Sequence, residues 1–230
     1  MKKHKKYQSI FNSMTSQSSV PDNRENFEAI YKLLQGEYPD AEPMLHFNNP
    51  LELMIATILS AQCTDRQVNI VTKQLFQKYH NVEDYANADW GELGKDIYTT
   101  GFYRQKSKHI IQSAQMIINE FGGNVPNNME DLIKLPGVGR KTANIVLARA
   151  YGIIEGIAVD THVSRLSQKL GLTKNTDPKK IELDLIPLTE KKNLENLSMT
   201  LILHGRNVCI ARKPKCEICV VNEWCPSSEV

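Results

Sequence analysis

The sequence predicts an all-α protein, and three observations support this fold class. Apolar residues recur at helical spacing along most of the chain, glycines follow several of these segments, and no segment shows the alternation typical of a strand. With 230 residues and 41% hydrophobic content, the chain can bury a sizeable core. We therefore expect a soluble protein of about ten helices, built as one large domain or as two small ones that share a cleft.

The predicted helices follow one another closely. The first, over 25–38, has Phe27, Ile30 and Leu34 on one face, and the second, over 50–61, is apolar nearly all round and should be central. The others are expected over 64–80, 104–121, 129–135 and 141–152, from the VDTHV pentad to 170, from 178 onward, and over 193–204. The last should stop at Gly205, because glycine readily adopts the left-handed conformation that ends a helix.

Charge is nearly balanced, with 28 Lys and Arg against 26 Asp and Glu, so any basic binding face must be local. Residues 1–24 begin with MKKHKK, are poor in acidic residues and lack helical periodicity, which predicts a flexible tail. No apolar run is long enough to span a bilayer, and the tail lacks the apolar centre of a secretory signal. We therefore expect an intracellular protein without a membrane partner.

Four of the five cysteines lie near the end of the chain in the pattern C-x6-C-x2-C-x5-C. They are Cys209, Cys216, Cys219 and Cys225. Four thiolates so close in sequence can enclose a tetrahedral zinc ion or the corners of a cubane iron–sulfur cluster, and the spacing does not choose between them. The loop after the first cysteine carries Arg212, Lys213 and Lys215. These cations form either a solvated basic turn or a loop, held by the bound metal, that contacts phosphates.

The stretch LPGVGRKTA, residues 135–143, predicts a turn between two helices. Gly137 and Gly139 would let backbone N–H groups approach a phosphate, although an ordinary helical hairpin has the same pattern. Lys141 falls in the first turn of the second helix, where the macrodipole disfavours a cation by about 0.3–1 kcal/mol. That effect alone cannot make the amine a nucleophile, so burial beside Arg140 or desolvation by a ligand would have to contribute more. On the residues alone, Lys141 is an ordinary surface cation or a nucleophile.

Three further motifs place polar or aromatic residues at helix ends. In VDTHV, Asp160 is predicted to cap a helix, and an ionised cap is also suited to stabilise a developing positive charge. In LSAQCTD, Gln62 has an ordinary interpretation as a solvated side chain, and in GFY, Phe102 has one as a core anchor. His162 is equally ambiguous.

Together and in order, LSAQCTD, LPGVGRKTAN, VDTHV, LHGR (203–206) and the cysteine pattern resemble the endonuclease III family of base-excision DNA repair enzymes, in the helix-hairpin-helix glycosylase superfamily. The resemblance covers residues 26–226 and implies two lobes with double-stranded DNA across the cleft between them. A six-helix lobe over 42–155 would bear the hairpin. A discontinuous lobe over 25–41 and 156–230 would bind a [4Fe-4S] cluster through the four cysteines.

The same resemblance implies the roles of individual residues. Lys141 would attack C1′ of the damaged nucleotide and form a Schiff base, with Asp160 as its essential partner. Gln62 and Phe102 would enter the base stack once the nucleotide is extruded, although the family often has Leu at the second of these positions. Thr64 and Asp65 would lie near the pocket, and DNA would be contacted by His162, Gly137, Gly139, Arg140, Arg212, Lys213 and Lys215.

These assignments predict a monomeric bifunctional enzyme that removes oxidised pyrimidines from duplex DNA and nicks abasic sites by β-elimination. The expected location is the cytoplasm, in association with the nucleoid, or the nucleus or an organelle of a eukaryote. Two alternatives are a monofunctional mismatch glycosylase, in which the aspartate activates water, and a non-catalytic helix-hairpin-helix protein that only binds DNA. Lys141 argues against the first, and the presence of both Lys141 and Asp160 argues against the second.

Overall fold

The computed structural model describes residues 23–39, 41 and 45–230, and all regular secondary structure within them is helical. Eleven α-helices follow one another: α1 Asn23–Glu37, α2 Pro50–Leu59, α3 Asp65–Lys78, α4 Val82–Ala86, α5 Trp90–Asp96, α6 Tyr103–Phe121, α7 Met129–Leu132, α8 Arg140–Tyr151, α9 Thr161–Lys169, α10 Pro178–Leu185 and α11 Leu194–Asn207. Short 3-10 helices occupy Tyr98–Thr100, Ile186–Leu188, Lys191–Asn193, Cys216–Ile218 and Asn222–Trp224. The predicted all-α fold class is confirmed.

The expected N-terminal tail lies mostly outside the described residues, which begin at residue 23. The last two residues assigned to it, 23 and 24, form the start of α1. None of the described helices is both long enough and apolar enough to cross a membrane.

The buried apolar residues form two clusters. The first cluster comes from residues 45–147 and includes Leu53, Ile110 and Leu147, each almost completely buried. The second joins α1 to the chain from residue 157 onward, so that Phe27 belongs to the same cluster as Leu201. Helix α2 is buried from Leu53 to Leu59, as its apolar sequence predicts. Helix α1, the first of the described helices, therefore packs with the C-terminal helices around one cluster.

Helices α4 and α5 are not predicted from the sequence, because five and seven residues are too few to show a hydrophobic period. The predicted end of the last helix at Gly205 is also wrong, since α11 continues through Gly205 to Asn207. A Cβ added at Gly205 would lie 2.9 Å from Nδ1 of His162 and 3.2 Å from Nη2 of Arg165. The glycine therefore allows α9 to approach α11 closely and does not end the helix.

Candidate active site

Lys141 and Asp160 line the same cavity, of about 120 Å³, between residues of the two apolar clusters. Lys141 comes from the first turn of α8, and Asp160 comes from the residue that precedes α9. The other lining residues with polar side chains include Asp65, Asn144 and Arg206. The cavity thus brings an amine and a carboxylate together from separate elements.

Helix α8, which carries Lys141, begins at Arg140 with Gly139 as its N-cap, and no side chain caps it. Its first N–H groups are consequently available to a ligand, and an anion is the favoured one. Apart from the two residues next to Gly139 in the chain, no residue has an atom within 4 Å of the position that a Cβ would take on it. A ligand can therefore approach closely there. Lys141 is exposed at this same helix end.

Glycine is needed at position 137, in the turn before α8, for a different reason. Its φ of +80° is left-handed, and an added Cβ would lie 2.9 Å from Nδ1 of His109 on α6. Any side chain at this position would strain the backbone and collide with the imidazole. Gly137 therefore shapes the turn, whereas Gly139, with φ −90°, keeps the helix end open.

Asp160 caps α9 with a single oxygen. Its Oδ1 accepts hydrogen bonds from the backbone N–H groups of His162 and Val163, both at 2.8 Å. The predicted capping position is confirmed, and the cap leaves Oδ2 outside these two bonds. The half-buried carboxylate is thus fixed in direction by the start of its own helix.

Arg140 and Asn144, on the helix of Lys141, bind one buried carboxylate. Glu182 of α10 is 4% exposed and accepts from Nε of Arg140 at 2.5 Å and from Nδ2 of Asn144 at 2.8 Å. Nδ2 of Asn144 also donates to the carbonyl of Ile157 at 3.3 Å, in the segment that leads to Asp160. Arg140, predicted to contact DNA, is therefore engaged by Glu182 in this structure.

The other predicted pocket residues follow α2. Asp65 lines the cavity and pairs with Arg206 of α11, with Oδ2 and Nη2 separated by 3.3 Å. Thr64 caps α3, because its hydroxyl accepts from the N–H of Gln67 at 3.3 Å. Arg206 belongs to the LHGR motif, so this ion pair links that motif to LSAQCTD.

Gln62 and Phe102 share an unusual backbone conformation. Their φ angles are +55° and +49°, and within the described residues they are the two non-glycine residues with positive φ. Both side chains are exposed, and Phe102 is 65% exposed despite its aromatic ring. The interpretation of Phe102 as a core anchor is therefore wrong.

His162 faces α11 and a neighbouring arginine. Its Nδ1 lies 3.5 Å from Nη2 of Arg165, whose guanidinium also donates to the carbonyl of Gly205 at 3.2 Å and to that of Cys209 at 2.5 Å. Helix α9, which begins at Asp160, is thus connected to the first cysteine of the cluster motif.

The four clustered cysteines line a second cavity together with His204 and Leu166. Burial raises the pKa of the Cys219 thiol to about 11 and also raises that of Cys225. Cysteine binds metals as the thiolate, so the positive charge of metal ions must compensate for this burial. Burial, with the nearby Arg165, lowers the pKa of His204 to about 4, so a neutral imidazole faces Sγ of Cys219 at 3.4 Å. These donors and their surroundings fit a multi-thiolate metal centre.

The four thiols line one cavity without converging on the position of a single metal ion. Among the described residues, no three His, Cys, Asp or Glu side chains form a group that could hold one metal ion.

The basic loop between Cys209 and Cys216 exposes Arg212, Lys213 and Lys215. Nζ of Lys215 donates to the carbonyl of Asn207 at 3.1 Å, so this lysine also ties the loop to the end of α11.

Comparison with known proteins decides the family. The model of HhH-GPD superfamily base excision DNA repair proteins matches residues 55–191, and the iron-sulfur binding domain of endonuclease III matches residues 209–225. The endonuclease III of Synechocystis sp. is 51% identical over 200 residues, which cover 87% of this chain and 91% of that protein. The chain belongs to the endonuclease III family.

Two solved structures of endonuclease III have the same fold as this family member. One is a non-covalent endonuclease III–DNA complex, and the other is a trapped endonuclease III–DNA covalent intermediate. Each has a TM-score of 0.86 and 38% identity and covers 91% of this chain. The match spans 97% of the first structure's chain and 98% of the second's. The predicted family, fold and bifunctional glycosylase and abasic-site lyase class are confirmed, and the chain binds DNA.

The cofactor is a [4Fe-4S] cluster, and the zinc alternative is set aside because the endonuclease III iron-sulfur domain spans the cysteine motif from residue 209 to residue 225.

The sequence did not single out Asn144, Glu182 or Arg165, although each contacts a motif residue. Asn144 stands three positions after Lys141 in the same helix, which is a recognisable signal. Arg165 stands three positions after His162 in the same helix and has the same kind of signal. Glu182 lacks one, because its partners Arg140 and Asn144 are 42 and 38 residues away.

Proposed function

We propose that this endonuclease III family member removes oxidised pyrimidines from duplex DNA and nicks the resulting abasic site, with Lys141 as nucleophile and Asp160 as its charged partner. The observation that carries the proposal is that both residues line one cavity between the two apolar clusters. Those clusters also support a division into a lobe over 42–155 and a lobe over 25–41 and 156–230. DNA would lie across the cleft, and the enzyme would act as a monomer.

The covalent steps follow from an amine beside a carboxylate. The neutral amine of Lys141 attacks C1′ of the sugar, the glycosidic C1′–N bond breaks, and its electron pair leaves with the base, which takes up a proton. The attached amine then loses a proton, the C1′–O4′ bond opens, and O4′ keeps the electron pair of that bond and takes up a proton. The nitrogen lone pair forms the C=N bond of a protonated Schiff base. Removal of a proton from C2′ then breaks the C3′–O bond, and the strand is nicked on the 3′ side.

Asp160 stabilises the positive charge that develops on the sugar or assists these proton transfers. Its cap fixes Oδ1, so the carboxylate needs no reorientation when charge develops. A preorganised charge of this kind is most effective in a site from which water is excluded. The bound DNA would provide that exclusion by covering the exposed amine of Lys141.

The enzyme would bind the duplex through its phosphates and reach the damaged base by extruding one nucleotide. The uncapped start of α8, with the open Gly139, suits a phosphate, and the exposed cations Arg212 and Lys213 suit others. Gln62 and Phe102 would fill the space that the extruded base leaves, because both are exposed and held by fixed backbone turns. His162 would support the DNA-facing end of α9.

Borohydride trapping tests this proposal. Borohydride reduces the C=N bond of a Schiff base, so wild-type enzyme reacting with a duplex that contains thymine glycol should become covalently attached to DNA. Lys141→Ala should abolish this product. Lys179→Ala is a matched control, because Lys179, like Lys141, is the second residue of its helix and is exposed. Base release without trapping by the wild type would support a monofunctional glycosylase, and undiminished trapping by Lys141→Ala would refute the nucleophile assignment.

A further inference from the structure

Lys106 is a buried lysine that the chemistry above does not use. It lies in the second turn of α6 and is 4% exposed. The ion pairs of the described residues do not include it, so its ammonium group is not balanced by a carboxylate. A buried lysine without a counter-ion is uncommon because desolvation of the charge is costly, and burial lowers the pKa of Lys106 accordingly.

The ammonium group is held by two backbone carbonyls. Nζ of Lys106 donates to the carbonyl oxygen of Leu59 and to that of Thr100, both at 2.8 Å. Leu59 is the last residue of α2, and Thr100 is the last residue of a 3-10 helix. The C-terminal carbonyls of a helix lack intrahelical partners and carry partial negative charge, so a cation is favoured at both places. Lys106 thereby caps two helix ends at once.

Each capped end leads directly to one of the two exposed residues with positive φ. Gln62 follows Leu59 by three residues, and Phe102 follows Thr100 by two, with Gly101 between them at φ +71°. A non-glycine residue in the left-handed region is strained, and it persists only where the surrounding structure enforces the conformation. One side chain therefore anchors the start of both strained turns.

We propose that Lys106 is a positioning residue that fixes the spacing of the Gln62 and Phe102 loops, so that the two side chains enter the DNA stack together. The proposal rests on the proposed insertion role of Gln62 and Phe102. It assigns to Lys106 no contact with substrate. Its effect is to hold the backbone of both loops at one point, so that neither can retreat without breaking a hydrogen bond to the same ammonium group.

The test compares substrates that do and do not require unstacking. Lys106→Met keeps an unbranched side chain that is one atom shorter but removes both hydrogen bonds, and Lys108→Met is a matched control on the same helix at an exposed position. Single-turnover borohydride trapping is measured on a duplex with an abasic site and on the same strand without its complement. Lys106→Met should trap the duplex roughly tenfold to a hundredfold more slowly, since small misplacements near a reacting site have effects of that size. Trapping of the single strand should change less than about twofold, because no stacked duplex surrounds the abasic sugar there and no space in a stack has to be filled.

Double-mutant cycles distinguish positioning from a general role in folding. In Gln62→Ala and in Phe102→Ala backgrounds, the duplex-specific effect of Lys106→Met should shrink, because the residue that it positions is gone. Additive effects, or an equal loss on duplex and single strand, would overturn the inference. If Lys106→Met does not fold, Lys106→Gln keeps one donor group and should give the same pattern with a smaller loss. If Gln62→Ala and Phe102→Ala show no duplex-specific loss themselves, the insertion role fails, and the Lys106 inference fails with it.

Discussion

Arg140 donates from Nε to Oε2 of Glu182 across 2.5 Å, which joins the helix of Lys141 to a helix of the second apolar cluster. Asn144 donates to the same carboxylate and also to the backbone that leads to Asp160. One buried charge thus binds two residues of the helix that carries Lys141, and Asn144 connects this pair to the segment that leads to Asp160. Such a network stabilises one arrangement of its elements only while every member is in place.

Gly156→Ala should disrupt that carboxylate without changing any residue that binds it. The new Cβ would overlap Oε1 of Glu182, and overpacking of this kind costs about 1–3 kcal/mol of unfolding free energy. Urea unfolding measures the loss. Glu182→Ala removes the overlapping atoms, so the double variant should be less destabilised than the sum of the two single variants. Strict additivity would contradict a contact between these positions.

Asp160→Asn should separate the capping role of this residue from its charge. Asparagine also caps helices, so the urea midpoint should change little, whereas Asp160→Ala should cost about 1 kcal/mol. Borohydride trapping should slow by at least roughly a hundredfold in both variants, because each lacks the preorganised negative charge. An Asp160→Asn enzyme that traps DNA at the wild-type rate would show that the carboxylate is only a cap.

Gly137→Ala should weaken DNA binding, because a Cβ at φ +80° would push against His109 and distort the turn before α8. Gly123→Ala is the matched control, with φ +81° and no atom within 4 Å of its added Cβ. Both should lose about 1–2 kcal/mol of stability from left-handed strain. Fluorescence anisotropy with an abasic-site analogue duplex, at fixed salt, should show reduced affinity for Gly137→Ala alone. Equal affinities of the two variants would mean that the turn does not grip DNA.

Gly205→Ala should destabilise the protein although it places a better helix former inside α11. Alanine in a helix interior normally gains about 0.5–1 kcal/mol over glycine. Here the added Cβ would lie 2.9 Å from Nδ1 of His162, so the net effect should be a loss, seen as a lower urea midpoint. Gly91→Ala at the exposed start of α5, where the closest atom is 3.3 Å away, should be neutral or stabilising.

Cys216→Ser should remove the broad visible absorption of the iron–sulfur cluster and lower the iron content of anaerobically prepared protein. Because Cys209, Cys219 and Cys225 pack against the second apolar cluster, loss of the cofactor should also lower the urea midpoint. Cys63→Ser is the control, since Cys63 packs against the first cluster and should leave the absorption unchanged. Wild-type protein that contains zinc and no iron would contradict the cofactor assignment.

Local patterns were enough to predict several elements of the site. Asp160 caps its helix as the VDTHV sequence predicts, because an N-cap depends on one side chain and the next few N–H groups. LPGVGRKTA likewise predicts a turn before a helix, and Gly139 directly precedes α8. The roles of Lys141 and Asp160 in catalysis remain predictions, to be tested by trapping.

The sequence by itself determined the helical class, the cysteine motif and the family, because helical periodicity, caps and ligand spacing are local properties of the chain. Only the tertiary structure decided what holds the site together. Glu182 reaches Arg140 from 42 residues away, and Lys106 reaches Leu59 from 47 residues away. Gly205, which by its sequence resembles a helix end, is a contact point for α9. Contacts of this kind depend on which distant segments meet, and helical periodicity shows which face of a helix is buried but not which segment it packs against.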